Sequence, residues 1–117
     1  MRARWVVGAL TLLASVWAVA ATTRRTERVV HIAAKRFEFV PATVELERGE
    51  PVILELSALD RVHGFQCPEL ALDASIVPGE PTRVRLVPDR AGTFSFHCSV
   101  FCGDGHEDMG GEIVVRP

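Results

Sequence analysis

From Val29 onward, apolar side chains recur at every second position. Val30, Ile32 and Ala34 alternate with Val29, His31 and Ala33, the period of a strand, whose successive side chains point to opposite faces. The same rhythm returns in Phe37 and Phe39, in Val44 and Leu46 against Glu45 and Glu47, and in Val52, Leu54 and Leu56 against Glu55 and Ser57. Later runs place Val84 with Leu86, Phe94 with Phe96, and Ile113 with Val115 on inward faces. Between the runs stand turn formers: Pro41, Arg48-Gly49-Glu50-Pro51, Pro78-Gly79-Glu80-Pro81 and Pro88-Asp89-Arg90-Ala91-Gly92. No stretch has a helical period, no segment repeats, and none is of low complexity. The pattern predicts an all-β fold, an antiparallel Greek-key sandwich of about seven or eight short strands.

The first 21 residues follow another rule. Arg2 and Arg4 precede an apolar run from Trp5 to Ala14, and Ala18-Val19-Ala20 offers a small-residue cleavage pattern, as in an export signal. The run from Trp5 to Ala21, about seventeen residues, is also at the short edge of what spans a bilayer. Residues 1–21 therefore read as a signal peptide or as a single membrane anchor. Arginines flank the run on both sides and do not choose between the two. Either reading sends the domain at 29–117 out of the cytoplasm, provided the N-terminus stays inside, with residues 22–28 as a polar linker.

Composition narrows the function. Of 117 residues 48% are hydrophobic, but with the leader set aside the remaining ~96 are about 42% apolar, ordinary for one small domain. A polytopic membrane protein and a two-domain enzyme are both excluded. The net charge of −2 becomes about −4 without Arg2 and Arg4, which leaves no basic surplus for phosphates. A core this small leaves little room for a closed substrate pocket and suits a bound metal better. No general acid or base stands out, so the isolated domain is not read as a catalyst.

The candidate chemistry is concentrated between the last two strands, in Cys98-Ser99-Val100-Phe101-Cys102-Gly103-Asp104-Gly105-His106-Glu107-Asp108-Met109. Two thiols, an imidazole and a thioether fall within one short loop. Such soft donors favour copper or zinc, whereas calcium and magnesium require oxygen. Gly103, Gly105, Gly110 and Gly111 let the chain turn tightly. Alternation along the incoming strand directs Cys98 toward the core, with Phe94 and Phe96, and His97 away from it. Upstream, His63 follows the strand ending near Ala58 and precedes Gly64-Phe65.

The run C-S-V-F-C-G-D-G-H-E-D-M, with D-R-V-H-G-F upstream and R-A-G-T-F-S-F between, resembles the copper A domain of cytochrome c oxidase subunit II, within the cupredoxin superfamily. It looks most like the short subunits of bacterial ba3-type oxidases, and its site also resembles that of nitrous oxide reductase. The likeness covers roughly residues 29–117, and its C-x3-C-x3-H-x2-M motif is specific; single-copper blue proteins have one cysteine in this loop. The resemblance implies a cupredoxin-like fold and two copper ions bridged by Cys98 and Cys102. His63 and Met109 would complete one copper, and His106 with the main-chain carbonyl of Val100 the other. It further implies a cytochrome c-like donor and an acceptor in haem-copper oxidase subunit I.

Departures from the family pattern bear on partners. Many longer subunits carry glutamate where this chain has Val100, which cannot supply that side chain to a second metal. The domain beyond the leader has no tryptophan and no tyrosine, so the aromatic docking patch of those subunits has no counterpart. A free-standing periplasmic carrier and a copper carrier or assembly protein are the alternative readings. A thiol oxidoreductase is a third class, against which the absent helix and Met109 count.

Each residue also has a plainer reading. Cys98 and Cys102 could form a disulfide in an oxidising compartment, His63 could be a solvated loop histidine, and Met109 a filler of the core; the clustering favours ligation for all four. Cys67 reads as a small buried hydrophobe or incidental thiol, and His31 and His97 as outward strand residues. Asp104, Glu107 and Asp108 read either as a solvated rim or as a steering surface for a lysine-rich cytochrome. Phe65 and Phe101 are expected to form an apolar collar around the centre.

Overall fold

A computed structural model describes residues 27–117; the leader 1–21 and residues 22–26 lie outside the described residues. Nine strands follow in order: β1 (Arg28–Lys35), β2 (Glu38–Val40), β3 (Thr43–Glu47), β4 (Val52–Ala58), β5 (His63–Cys67), β6 (Leu72–Ile76), β7 (Thr82–Leu86), β8 (Gly92–His97) and β9 (Gly110–Arg116). They form two sheets, β2-β1-β4-β7 and β3-β9-β8-β5-β6. The predicted inward residues are the buried ones. Ile32, Ala34, Val44, Leu46, Val52, Leu54, Leu56, Leu86, Phe94, Phe96, Ile113 and Val115 all lie in the core, with Val30 and Val84 packed against it.

The expectation of a wholly antiparallel sandwich requires correction, because two pairings are parallel: β1 with β4, and β3 with β9. Alternation reveals which face of a strand is buried but carries no information about its neighbour. The parallel pairs arise because β3 leaves the sheet of β1 and β2, joins the other sheet beside β9, and the chain then returns to place β4 along β1. Registers still set core residue against core residue, as in Ile32 opposite Leu56 and Leu46 opposite Val115. The strand count also exceeds the expected seven or eight, since β5 and β6 lack a clear alternation. Among the described residues the only helical pieces are two single 3-10 turns, Pro68–Leu70 and His106–Asp108, and no helix is long and apolar enough to cross a membrane.

An aromatic cluster joins the sheets just beneath one end. Phe39 from β2 meets Phe65 from β5 and Phe96 from β8 edge-on, with centroids 5.9 and 5.1 Å away, while Phe65 and Phe96 lie 4.7 Å apart. Such pairs contribute about 0.5–1.5 kcal/mol each beyond their buried area. Phe65 stands two residues after His63 and Phe96 two before Cys98. On a strand this spacing sends both members of a pair to one face, so packing of the rings also directs His63 and Cys98.

Candidate metal centre

His63 opens β5 and pairs in register with Ile76 of β6. It is fully buried, so it is not the solvated loop histidine of the plainer reading. Its ring is bound on one side: Nε2 lies 2.6 Å from Asp60 Oδ1. A carboxylate accepts, so in the neutral ring the proton belongs on Nε2 and the lone pair on Nδ1. Burial by itself raises the Asp60 pKa, but hydrogen bonds from His63 and from the backbone N–H groups of Arg36 and Arg61 outweigh it and bring the carboxyl to about 2.

From Nδ1 the donors follow one another at short range. Cys98 Sγ lies 3.9 Å from His63 Nδ1 and 3.9 Å from Cys102 Sγ. Beyond Cys102 Sγ, His106 Nδ1 and Met109 Sδ each stand at 3.7 Å. The Val100 carbonyl is 3.1 Å from Cys98 Sγ. All six residues singled out from the sequence thus converge at one end of the sandwich. The donor atoms of His63, Cys98 and Cys102 fall within 4.8 Å of one another.

The donor loop is held shut at its base by the Cys98 N–H, which donates to the Met109 carbonyl at 3.0 Å. Two close approaches depend on glycine. Gly64 lies against the start of the loop, where an added Cβ would overlap the Ser99 hydroxyl and sit 2.9 Å from the backbone nitrogens of Ser99 and Val100. The Gly64 N–H donates to Cys98 Sγ at 3.4 Å. Gly103 has φ +138, and the Phe37 ring covers both it and Gly105.

The two-residue rhythm puts Phe37 on one strand face with Phe39, and the structure does not. Phe37 lies in the turn between β1 and β2, from which it reaches the donor loop. Phe65 likewise departs from expectation: it belongs to the core cluster, which leaves Phe101 alone at the rim, 70% exposed and 5.7 Å from the His106 ring. His31 and His97 are exposed strand residues, and Cys67 is a buried free thiol whose pKa burial pushes up.

The spacings fit a first-row metal. Two donors held tetrahedrally at bond lengths of about 2.0–2.3 Å sit roughly 3.3–3.8 Å apart, close to the distances across this cluster. A disulfide would need its sulfurs at about 2.05 Å, and Cys98 and Cys102 are free. Burial pushes the Cys102 thiol up, and Cys98 beside it pushes in the same direction. Two thiolates side by side repel each other, so a cation between them is what would hold both, and their softness together with thioether and imidazole points to copper or zinc.

The sequence profile of the cupredoxin-like domain matches residues 8–115 of the chain. The chain belongs to the cupredoxin-like family. Membership and the donor set together support copper binding by this cupredoxin-like domain. Among curated proteins it is 31% identical over 87 residues to a cytochrome c oxidase subunit 2 from Thermus thermophilus, covering 74% of the chain and 64% of the relative. A second subunit 2, from a particular strain of the same organism, is also 31% identical over 87 residues, with 74% and 52% covered. The domain thus spans somewhat over half the length of these relatives. Among solved structures it superposes on the periplasmic domain of subunit II of the Bradyrhizobium japonicum cytochrome oxidase with a TM-score of 0.72, at 14% identity, covering 79% of this chain and 86% of that one.

Asp60, Arg61 and Phe37 support the site without being evident as site residues in the sequence. Asp60 was within reach, because it stands three residues before His63 and a buried metal-binding histidine commonly needs an acceptor for its second nitrogen. Phe37 and Arg61 gave no such signal, since both act across long stretches of chain.

Proposed function

We propose that this domain is an electron-transfer module holding two copper ions between the thiolates of Cys98 and Cys102, at an extracytoplasmic face. The observation that supports it best is the pair of buried sulfurs 3.9 Å apart with further donors on both flanks. A single-copper blue site takes one cysteine, so the second one here favours a pair of metals. His63 and Met109 would complete one copper, and His106 with the Val100 carbonyl the other. When bound, the copper pair supplies one-electron exchange with the charge spread over two metals.

The chain's own part is to keep the donors where they are before and after that exchange. Asp60 holds the proton on His63 Nε2, leaving Nδ1 to bind. The Gly64 N–H donates to Cys98 Sγ and draws charge from it. The aromatic cluster below fixes the strand that His63 opens and the strand, β8, that ends just before Cys98. Similarity to oxidase subunits supports a cytochrome c-like donor and, as acceptor, subunit I of a haem-copper oxidase. Asp104, Glu107 and Asp108 are exposed at the same end, where they would steer a basic donor.

The test is reconstitution of the purified domain with copper. Two coppers per chain and reversible one-electron reduction support the reading. One weakly held, colourless copper(I) per chain would instead favour the carrier or assembly role.

A further inference from the structure

The link between β4 and β5 contains two adjacent side chains of opposite charge, and each holds a different part of the centre. Asp60 accepts from His63 Nε2 at 2.6 Å. Arg61 turns the other way: its Nη1 donates to the Cys102 carbonyl at 2.9 Å, across 41 residues of sequence. The backbone-to-backbone hydrogen bonds inside the donor loop run from Cys98 to Met109, His106 to Gly103, Asp108 to Gly105 and Met109 to His106. None of them involves Cys102. The residue whose sulfur lies between Cys98, His106 and Met109 therefore has its carbonyl fixed by a side chain from another connection.

We infer that Arg61 is a positioning residue for the centre, anchoring the Cys102 backbone and setting a positive charge beside the paired sulfurs. This inference rests on the copper reading proposed above. A guanidinium is always charged and has several donors in one plane, so it can bind a carbonyl and keep its charge. Addition of an electron makes the centre more negative, and a nearby cation favours that state. Arg61 thus raises the reduction potential and, through the same attraction, slows loss of copper from the thiolates. Because the side chain is exposed, its replacement leaves the core untouched.

The experiment compares the wild-type domain with Arg61→Gln and Arg61→Lys. In the copper-loaded proteins, Arg61→Gln is expected to have a lower potential and to yield copper to a chelator several-fold faster, whereas Arg61→Lys keeps the potential near wild type. In the metal-free proteins, amide hydrogen exchange at Cys102 and Gly103 is expected to rise several-fold in Arg61→Gln. Wild-type potential, copper release and exchange in Arg61→Gln would overturn the inference, and so would a potential in Arg61→Lys as low as in Arg61→Gln. If the wild-type domain fails to bind paired copper, the proposed function falls, while the exchange measurement still decides whether Arg61 anchors the loop.

Discussion

The two histidines of the centre are positioned in different ways. His63 begins a sheet strand, is fully buried, and has its second nitrogen tied to Asp60. His106 begins a 3-10 turn within a glycine-rich loop and is only half-buried, with Phe101 beside it as its aromatic neighbour. One donor is thus part of the sandwich and the other is part of a loop laid over it. The sheet side is set by folding itself. The loop side depends on a few long-range supports: Phe37 over two glycines, Arg61 on Cys102, and Gly64 against Ser99.

The largest effect is expected at the sulfurs that join the two sides. Cys98→Ser or Cys102→Ser should abolish paired copper binding, read as copper per chain and loss of the visible absorption, because one remaining thiolate does not hold two coppers together.

Next come the histidines themselves, for which the comparison predicts opposite outcomes in metal-free protein. His63→Ala leaves a void in a packed strand and takes a donor from Asp60, and should lower unfolding free energy by about 2–4 kcal/mol. His106→Ala should stay within about 0.5 kcal/mol of wild type. Denaturant titration of both apo variants distinguishes them, and equal losses would show that the sheet and loop sides are not set differently.

A third change sharpens the sheet side alone. Asp60→Asn keeps the packing but weakens the acceptor on His63 Nε2, and should reduce copper affinity about 10–100-fold, measured by competition with a chelator. The same carboxylate gives a pH signature. Its folded pKa, about 2, lies below its ordinary 3.8, so its contribution to stability is complete above the ordinary value and is lost as pH falls toward 2. Asp60→Asn should flatten that acid limb in apo unfolding curves.

The smallest effect belongs to the rim. Replacing Asp104, Glu107 and Asp108 by their amides should leave copper binding unchanged and slow association with a basic cytochrome, more so at low ionic strength. An unchanged rate and an unchanged salt slope would remove the steering role.

The same contrast explains what was legible in the sequence. Alternation located the inner faces of β1, β3, β4, β7, β8 and β9 because each has one buried and one wetter face. It failed at β5, where His63, Gly64, Phe65 and Cys67 are all buried and the two-residue period is therefore masked. In β6 the middle of the strand is Asp73, Ala74 and Ser75, too polar and small to stand out. Five of the candidate donors stand out because their side chains cluster in one loop plus one histidine motif, and the sixth, the Val100 carbonyl, is implied only by the family resemblance. Their supports could not: Arg61 and Cys102, or Phe37 and Gly105, lie far apart in the chain, and no local pattern links them. The turn that carries Phe37 off the face shared with Phe39 is equally invisible to a strict two-residue rhythm.

Two coppers bridged by Cys98 and Cys102 would share one unpaired electron, which electron paramagnetic resonance of the copper-loaded, oxidised domain reads out. Two equivalent copper nuclei of spin 3/2 sharing one unpaired electron predict a seven-line hyperfine pattern. A four-line pattern from a single copper, or a spectrum that survives Cys102→Ser unchanged, would contradict it.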